Sequence, residues 1–307
     1  MRCLARCVIM DALVKILRTM GIKMDLYRSI VNSFYIENAY QEWKDYREHL
    51  TDLLIKAYEK CETSAASSEK KLKLLIAGGG LCNDMDIERL KEKYSITVMD
   101  IDENGKKYFN DKKYVNYILQ TFTGIGENEY REFLNKMLII AGNVKGRISF
   151  EELDINAYDF IKGMEDRISI NNDIPRCDVL ICAGVHSQLF SMFPYIFEII
   201  IENLYNAGLL DNGSKSLEDL YLSSKFMEKV KRLNQKFIPE FNKSLIAAAN
   251  NLCLFSFESG GVEGAIEGRI DLEENYKEKI IIKDSYDWNF NLKANKIYHM
   301  DIYLLQK

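Results

Sequence analysis

The chain has 307 residues, 47% of them hydrophobic and 28% charged, enough to bury a core without disulfide or metal staples. Its formal net charge is −5 and its pI about 5.5. The bulk basic footprint of a nucleic-acid binder is therefore missing, which disfavours DNA or RNA as a partner. Nowhere does an apolar run approach the ~20 residues of a membrane span, so no membrane partner is expected.

Seven cysteines (Cys3, Cys7, Cys61, Cys82, Cys177, Cys182 and Cys253) form no C-x-x-C pair. The three histidines, His49, His186 and His299, are scattered. Reduced thiols in a cytoplasmic protein are the expectation, with no metal site.

The opening MRCLARCVIMDALVKILRTMGIKM is interrupted by Asp11 and Lys15, unlike an export signal. It reads as an amphipathic helix or as an over-long start, with Met24 as an alternative initiator. Residues 25–60 read as helical and aromatic, with Tyr46, Leu50, Leu53, Leu54 and Ala57 on one face. A small, polar linker, CETSAASSEKK, follows. Residues 1–66 are thus expected to form a helical cap and linker, and 67–307 the main domain.

From there strands and helices alternate, which predicts a mostly parallel sheet. Strands are expected at 72–77, 95–99, 147–153, 178–183 and 252–257. Residues 85–94 read as a helix capped by Asn83 and Asp84, and 103–146 as helical, charged sequence with loops. One long helix, or two broken near Pro239, is expected over 216–250. Two terminal strands, 279–284 and 297–305, flank DSYDWNFNLKAN, a connection too short for a crossover, so they should pair antiparallel.

The chemistry is concentrated in LKLLIAGGGLCNDMDIERLKEKYSITVMDID. A strand ending in Gly78, Gly79 and Gly80 lets backbone approach a ligand closely, and a helix amino terminus beyond would offer free N–H groups. Asp100 lies 22 positions past Gly78 (100 − 78). That spacing puts a carboxylate at the next strand's tip, where it can accept ribose hydroxyls. A nicotinamide dinucleotide fold shares this signal, but the last fingerprint position here is Asn83 rather than Gly or Ala.

The glycine loop AGGGLCND, the acidic strand ends VMDID and EELDI, and the strand DVLICAGVHS resemble those of class I S-adenosylmethionine-dependent methyltransferases, over residues 72–307. The loop followed by Asn-Asp, with the late Trp288-Asn289, is similar to a bacterial subgroup of them. The resemblance implies a Rossmann-like sheet of seven strands, mostly parallel, with one antiparallel strand. It also implies S-adenosyl-L-methionine as cofactor and a small-molecule methyl acceptor. Gly78 to Gly80 would then line the methionine part, with Asn83 and Asp84 available to it. Asp100 with Ile101 would hold the ribose, Asp154 with Ile155 the adenine, and Ala183 and Gly184 would lie beside the sulfonium. Ala77 departs from the acidic residue that many members carry before the first glycine.

His186, just past the fourth strand, suits a general base or a core histidine packed under the next helix. Tyr35, Tyr40, Trp43 and Tyr46 are candidates to contact the acceptor, or else helix core. Glu258, before Ser259-Gly260-Gly261, can face the substrate cleft. An NAD-dependent oxidoreductase and a non-catalytic methyltransferase-fold binding protein are the alternative readings.

Overall fold

A computed structural model describes residues 25–62, 71–143, 146–171 and 173–307. The chain separates into two compact units. The sheet unit holds Glu37–Gly124, Ser169–Leu189 and Asn234–Lys307, and the other unit Ile125–Ile168 and Phe190–Leu233 together with 25–36. The division expected at residue 66 is therefore not where contacts separate. Residues 37–62 belong with the sheet, and the second unit is built mainly from two internal segments. The amphipathic helix or over-long start expected over residues 1–24, and most of the expected linker, lie outside the described residues.

The sheet unit is built on seven strands: β1 (Leu72–Ala77), β2 (Tyr94–Asp100), β3 (Val115–Leu119), β4 (Cys177–Ala183), β5 (Ala249–Glu258), β6 (Ile280–Asn291) and β7 (Lys296–Gln306). Their spatial order is β3-β2-β1-β4-β5-β7-β6. Neighbours pair in parallel from β3 to β5, and β7 runs antiparallel to both β5 and β6. This is the Rossmann-like sheet of seven strands that the resemblance implies, mostly parallel, with one reversed strand beside an edge. The central strands β1 and β4 are near-continuous apolar runs because both faces are covered. Edge strand β6 alternates exposed and half-buried positions along most of its length.

One face of the sheet is covered by the helix Lys44–Glu62. The expected stripe of Tyr46, Leu50, Leu53, Leu54 and Ala57 is at most 5% exposed and shares one apolar cluster with Leu74, Ile76, Val179, Leu254 and Leu304. The Tyr94 hydroxyl donates to Leu54 O at 2.6 Å and the Asp86 amide to Thr51 Oγ1 at 2.9 Å, tying that helix to β2 and to the loop after β1.

Several expected elements fall elsewhere. The third strand is Val115–Leu119, inside the stretch read as helical. It pairs only with β2 and keeps Asn116 and Leu119 exposed, so it carries little apolar signal. Residues 147–153 hold only a two-residue strand, Ile148–Ser149, paired with Leu210–Asp211. The helix Phe150–Met164 then begins, and its buried Phe150, Leu153, Ala157, Phe160, Ile161 and Met164 recur at helical spacing. Pro239 lies inside a continuous helix, Lys225–Ala248, preceded by the short helix Leu217–Leu222. Strand β6 continues through Asp-Trp-Asn to Asn291. Its hairpin turns at Leu292–Ala294, with the Asn291 side chain accepting from the Ala294 amide at 2.9 Å and Asn295 in the left-handed region at φ 49°.

The second unit is helical apart from that strand pair. It contains Leu26–Asn32, Glu127–Asn143, Phe150–Met164 and Met192–Asn206. Phe133 packs on Phe160, Phe193 and Phe226 with ring centroids 5.2–5.5 Å apart. Arg131 forms a two-pronged pair with Asp25 at 2.6 and 2.7 Å, which holds the Asp25 carboxyl down at about 2. Among the described residues no helix is long and apolar enough to cross a membrane.

Candidate active site

The carboxyl ends of β1, β2, β4 and β5 converge in the sheet unit. Gly78 follows β1 at φ 73°, and its amide donates to Met99 O at 2.8 Å. A Cβ there would stand 2.3 Å from Val185 Cγ2, two residues past β4, so only glycine lets the first turn close against the fourth strand's loop. Gly80, at φ 50°, is different: nothing lies within 4 Å of its would-be Cβ, so its open face can admit a ligand.

Both Asp100 oxygens are fixed by backbone, Oδ2 accepting from the Gly80 amide at 2.9 Å and Oδ1 from the Asp102 amide at 2.7 Å. The Ile101 amide also acts on this carboxyl, and because an ionised carboxylate offers roughly four acceptor sites, it keeps acceptor capacity for a ligand. Burial pushes the Asp100 carboxyl up, against those amide bonds, which pull it down. The Asp84 carboxyl is raised to about 7. Burial is the main cause, the nearby Asp100 charge adds to it, and the Asp84 amide and Arg47 oppose it. Arg47 is 7% exposed, and its guanidinium donates to Asn83 O at 3.3 Å and also bonds Tyr40 O.

Beyond β4, Gly184 donates its amide to Ser256 O at 2.9 Å. Its carbonyl accepts from Gln188 Nε2 at 3.0 Å. Ser187 Oγ donates to Glu258 Oε1 at 2.8 Å. On β5 the Ser256 hydroxyl meets the Tyr46 hydroxyl at 2.9 Å.

The structure thus brings Gly78, Gly79, Gly80, Asn83, Asp84, Asp100, Ile101, Ala183 and Gly184 to one end of one sheet. Asn83 and Asp84 do not cap the following helix. That helix is one turn, Ile87–Leu90, capped by the Asp86 side chain on the Arg89 amide at 3.1 Å. A helix this short offers no useful amino-terminal dipole.

Asp154 and Ile155 are not at a strand end. Both lie within the helix Phe150–Met164 in the second unit. The Asp154 carboxylate is buried and caps the helix Lys225–Ala248, accepting from the Lys225 and Phe226 amides at 2.9 and 3.1 Å and from the Ser224 hydroxyl. Ile155 is exposed. EELDI read as a strand end because a short apolar run beside acidic residues fits a helix equally well.

His186 is 1% exposed, packed among Phe241, Phe255 and Phe257. Asn242 donates from Nδ2 to Gly268 O at 3.2 Å and to Asp271 Oδ2 at 2.8 Å. Its Oδ1 must then accept, at 2.7 Å, from a proton on His186 Nε2. Nδ1 faces Cys182 Sγ at 4.0 Å. Burial lowers this imidazole to about 4. It is a neutral core histidine with both ring nitrogens turned inward, not a base at the cleft.

The aromatic candidates divide. Tyr35 is exposed and belongs to the second unit. Tyr40 is exposed in part, with the Arg47 guanidinium 3.7 Å above its ring. Trp43 donates from Nε1 to Phe290 O at 2.9 Å and packs edge-on against Trp288. Tyr46 stacks on Trp288, with centroids 4.7 Å apart. Trp43 and Tyr46 are therefore packing residues for β6, and only the Tyr46 hydroxyl reaches the strand ends. Arg47 and Ser187 join the site only through the fold, since nothing in the sequence separates them from other surface-type residues.

No family model and no curated protein matches the chain. Among solved structures it is similar to magnesium protoporphyrin IX methyltransferase from Synechocystis with bound S-adenosylmethionine, at 10% identity and a TM-score of 0.40, covering 99% of this chain and 97% of that one. TehB from Haemophilus influenzae gives 12% identity and a TM-score of 0.36, over 78% and 58% of the two chains. The plantazolicin methyltransferase BpumL in complex with S-adenosylhomocysteine gives 10% and 0.30, over 98% and 99%.

Proposed function

We propose that the chain is an S-adenosylmethionine-dependent methyltransferase acting on a small-molecule acceptor in the cytoplasm. The observation that carries this is the Gly80–Asp100 lock. A glycine turn with one open face is bonded at 2.9 Å to a strand-end carboxylate that keeps acceptor sites free, in a sheet whose β7 is reversed. Gly78, Gly79 and Gly80 with Asn83 and Asp84 would flank the methionine part. Asp100 with Ile101 would hold the ribose, and Ala183 with Gly184 would border the reacting carbon. The adenine side falls to the carboxyl end of β3, where the Gln120 amide donates to Asp100 O at 2.9 Å.

The bound cofactor supplies an electrophilic methyl group, and the protein's part is orientation and exclusion of water. A nicotinamide reading has less support, because the second half of the sheet, β4-β5-β7, has a reversed strand where a dinucleotide fold has a third parallel one.

Calorimetry and thermal melting with S-adenosylhomocysteine, S-adenosylmethionine and NAD test the proposal. The expected result is binding of the first two, with a stability gain of about 2.7 kcal/mol at a hundredfold excess over Kd. Binding of NAD in their place would overturn it.

A further inference from the structure

Glu258 is the least explained charge in the sheet unit. It ends β5 and is 8% exposed. Ser187 satisfies Oε1 at 2.8 Å, while Oε2 is buried with no hydrogen-bond partner. A would-be Cβ on Gly184 would lie 3.6 Å from Oε1, so this carboxyl stands beside the residue that borders the reacting carbon in the proposed function. Leaving a buried acceptor unpaired is costly, and a fold with no use for it would place an apolar residue there.

The neighbours do not complete it. Lys296 acts on Glu258 only at a distance, with its ammonium 4.4 Å above the Tyr298 ring and no ion pair to the carboxylate. The Tyr46 hydroxyl is engaged with Ser256. It feels the negative charge of both Asp84 and Glu258, which marks these carboxyls as parts of one acidic end of the sheet. Burial raises the Glu258 carboxyl above its ordinary range, its own amide and Ser187 opposing.

Resting on the methyltransferase reading, we propose that Glu258 is the acceptor-binding residue and that the acceptor is an amine, whose N–H donates to Oε2. A neutral hydroxyl already serves Oε1, and an ammonium gives the buried carboxylate a charge-assisted bond roughly twice as strong as a neutral one. Passing that proton to Oε2 would free the nitrogen lone pair that forms the new N–C bond, while the S–C bond breaks and the sulfonium leaves as a neutral thioether. A carboxylate or phosphate acceptor would meet like charge from the Glu258 and Asp100 carboxylates.

The test uses the full chain and its Glu258→Gln and Glu258→Leu variants. Matched primary amines and alcohols of the same carbon skeleton, from butyl to indolylethyl, are screened by saturation-transfer NMR with S-adenosylhomocysteine present. We expect amines to bind in preference to their alcohols, and Glu258→Gln to weaken them at least tenfold while S-adenosylhomocysteine affinity stays within twofold. In the unliganded chain Glu258→Leu should raise Tm, because it removes an unpaired buried oxygen. A residue kept only for its Ser187 bond would lower Tm instead. Alcohols binding as well as amines, no amine binding at all, or undiminished amine binding to Glu258→Gln would overturn the proposal. If the wild-type chain fails to bind S-adenosylhomocysteine, the cofactor reading fails by itself. The amine comparison and the melting shift are still read on the unliganded protein.

Discussion

The Gly80 amide donates to Asp100 Oδ2 at 2.9 Å, so the turn after β1 and the tip of β2 are held as one piece. This bond orients the carboxylate before any ligand arrives, and the Asp102 amide fixes its other oxygen. Preorganisation of this kind reduces the ordering cost of binding.

Replacing Asp100 by Ala should therefore weaken S-adenosylhomocysteine by roughly tenfold or more, the equivalent of losing charge-assisted hydrogen bonds of about 1.5–3 kcal/mol. The circular dichroism spectrum should stay native. An unchanged Kd in calorimetry would reduce Asp100 to a brace for the glycine turn.

Gly78→Ala tests the other half of the turn. Its methyl would stand 2.3 Å from Val185 Cγ2 at a φ of 73°, so the loops after β1 and β4 must part. A loss of about 1–3 kcal/mol in denaturant unfolding is expected from strain and overpacking. Gly78→Ala combined with Val185→Ala should recover part of it. No recovery would place the cost in the backbone angle alone.

Asp154→Ala should behave as the loss of a buried helix cap. Two amides and the Ser224 hydroxyl lose their acceptor, which costs about 1–3 kcal/mol. Affinity for S-adenosylhomocysteine should stay within twofold. A tenfold loss of that affinity in a folded protein would return Asp154 to the cofactor.

His186→Ala should be more damaging, because it opens a cavity among Phe241, Phe255 and Phe257 and strips Asn242 Oδ1 of its donor. About 3–5 kcal/mol is expected. The wild-type histidine falls to about 4 on folding. Its contribution is therefore present above its unfolded value near 6.5 and is lost as pH falls from there toward 4.

Much of this site was legible in the sequence because each signal was local. Three glycines at a strand end, an acid 22 positions later (100 − 78), and a five-residue apolar stripe at helical spacing all lie where they were read. The failures share a physical cause. Strand β3 is a sheet edge with two exposed residues, and EELDI is a helix whose first turn resembles a strand. In both, tertiary pairing decides what a short run becomes. That His186 is core, and that Glu258 keeps a free oxygen, depends on Asn242 and Ser187, which lie 56 and 71 residues away along the chain. No local pattern encodes such partners.

Asp84 gives the pH prediction. Its carboxyl rises from an ordinary 3.8 to about 7 in the folded chain, chiefly through burial. Between those values the folded state binds more protons than the unfolded one, so stability falls as pH rises. The loss should begin near pH 4 and level off just above 7. A full shift of that size would be worth about 1.36 kcal/mol per pH unit. Asp84 is only partly buried, so solvent screening reduces the expected total to roughly 1–3 kcal/mol. Asp84→Asn removes the titration while preserving shape. Urea unfolding from pH 4 to 8 should then show a smaller decline for the variant, with the two proteins differing most at pH 8 and the variant the more stable there. Parallel profiles would mean that Asp84 stays ionised across the range, its burial offset by Arg47.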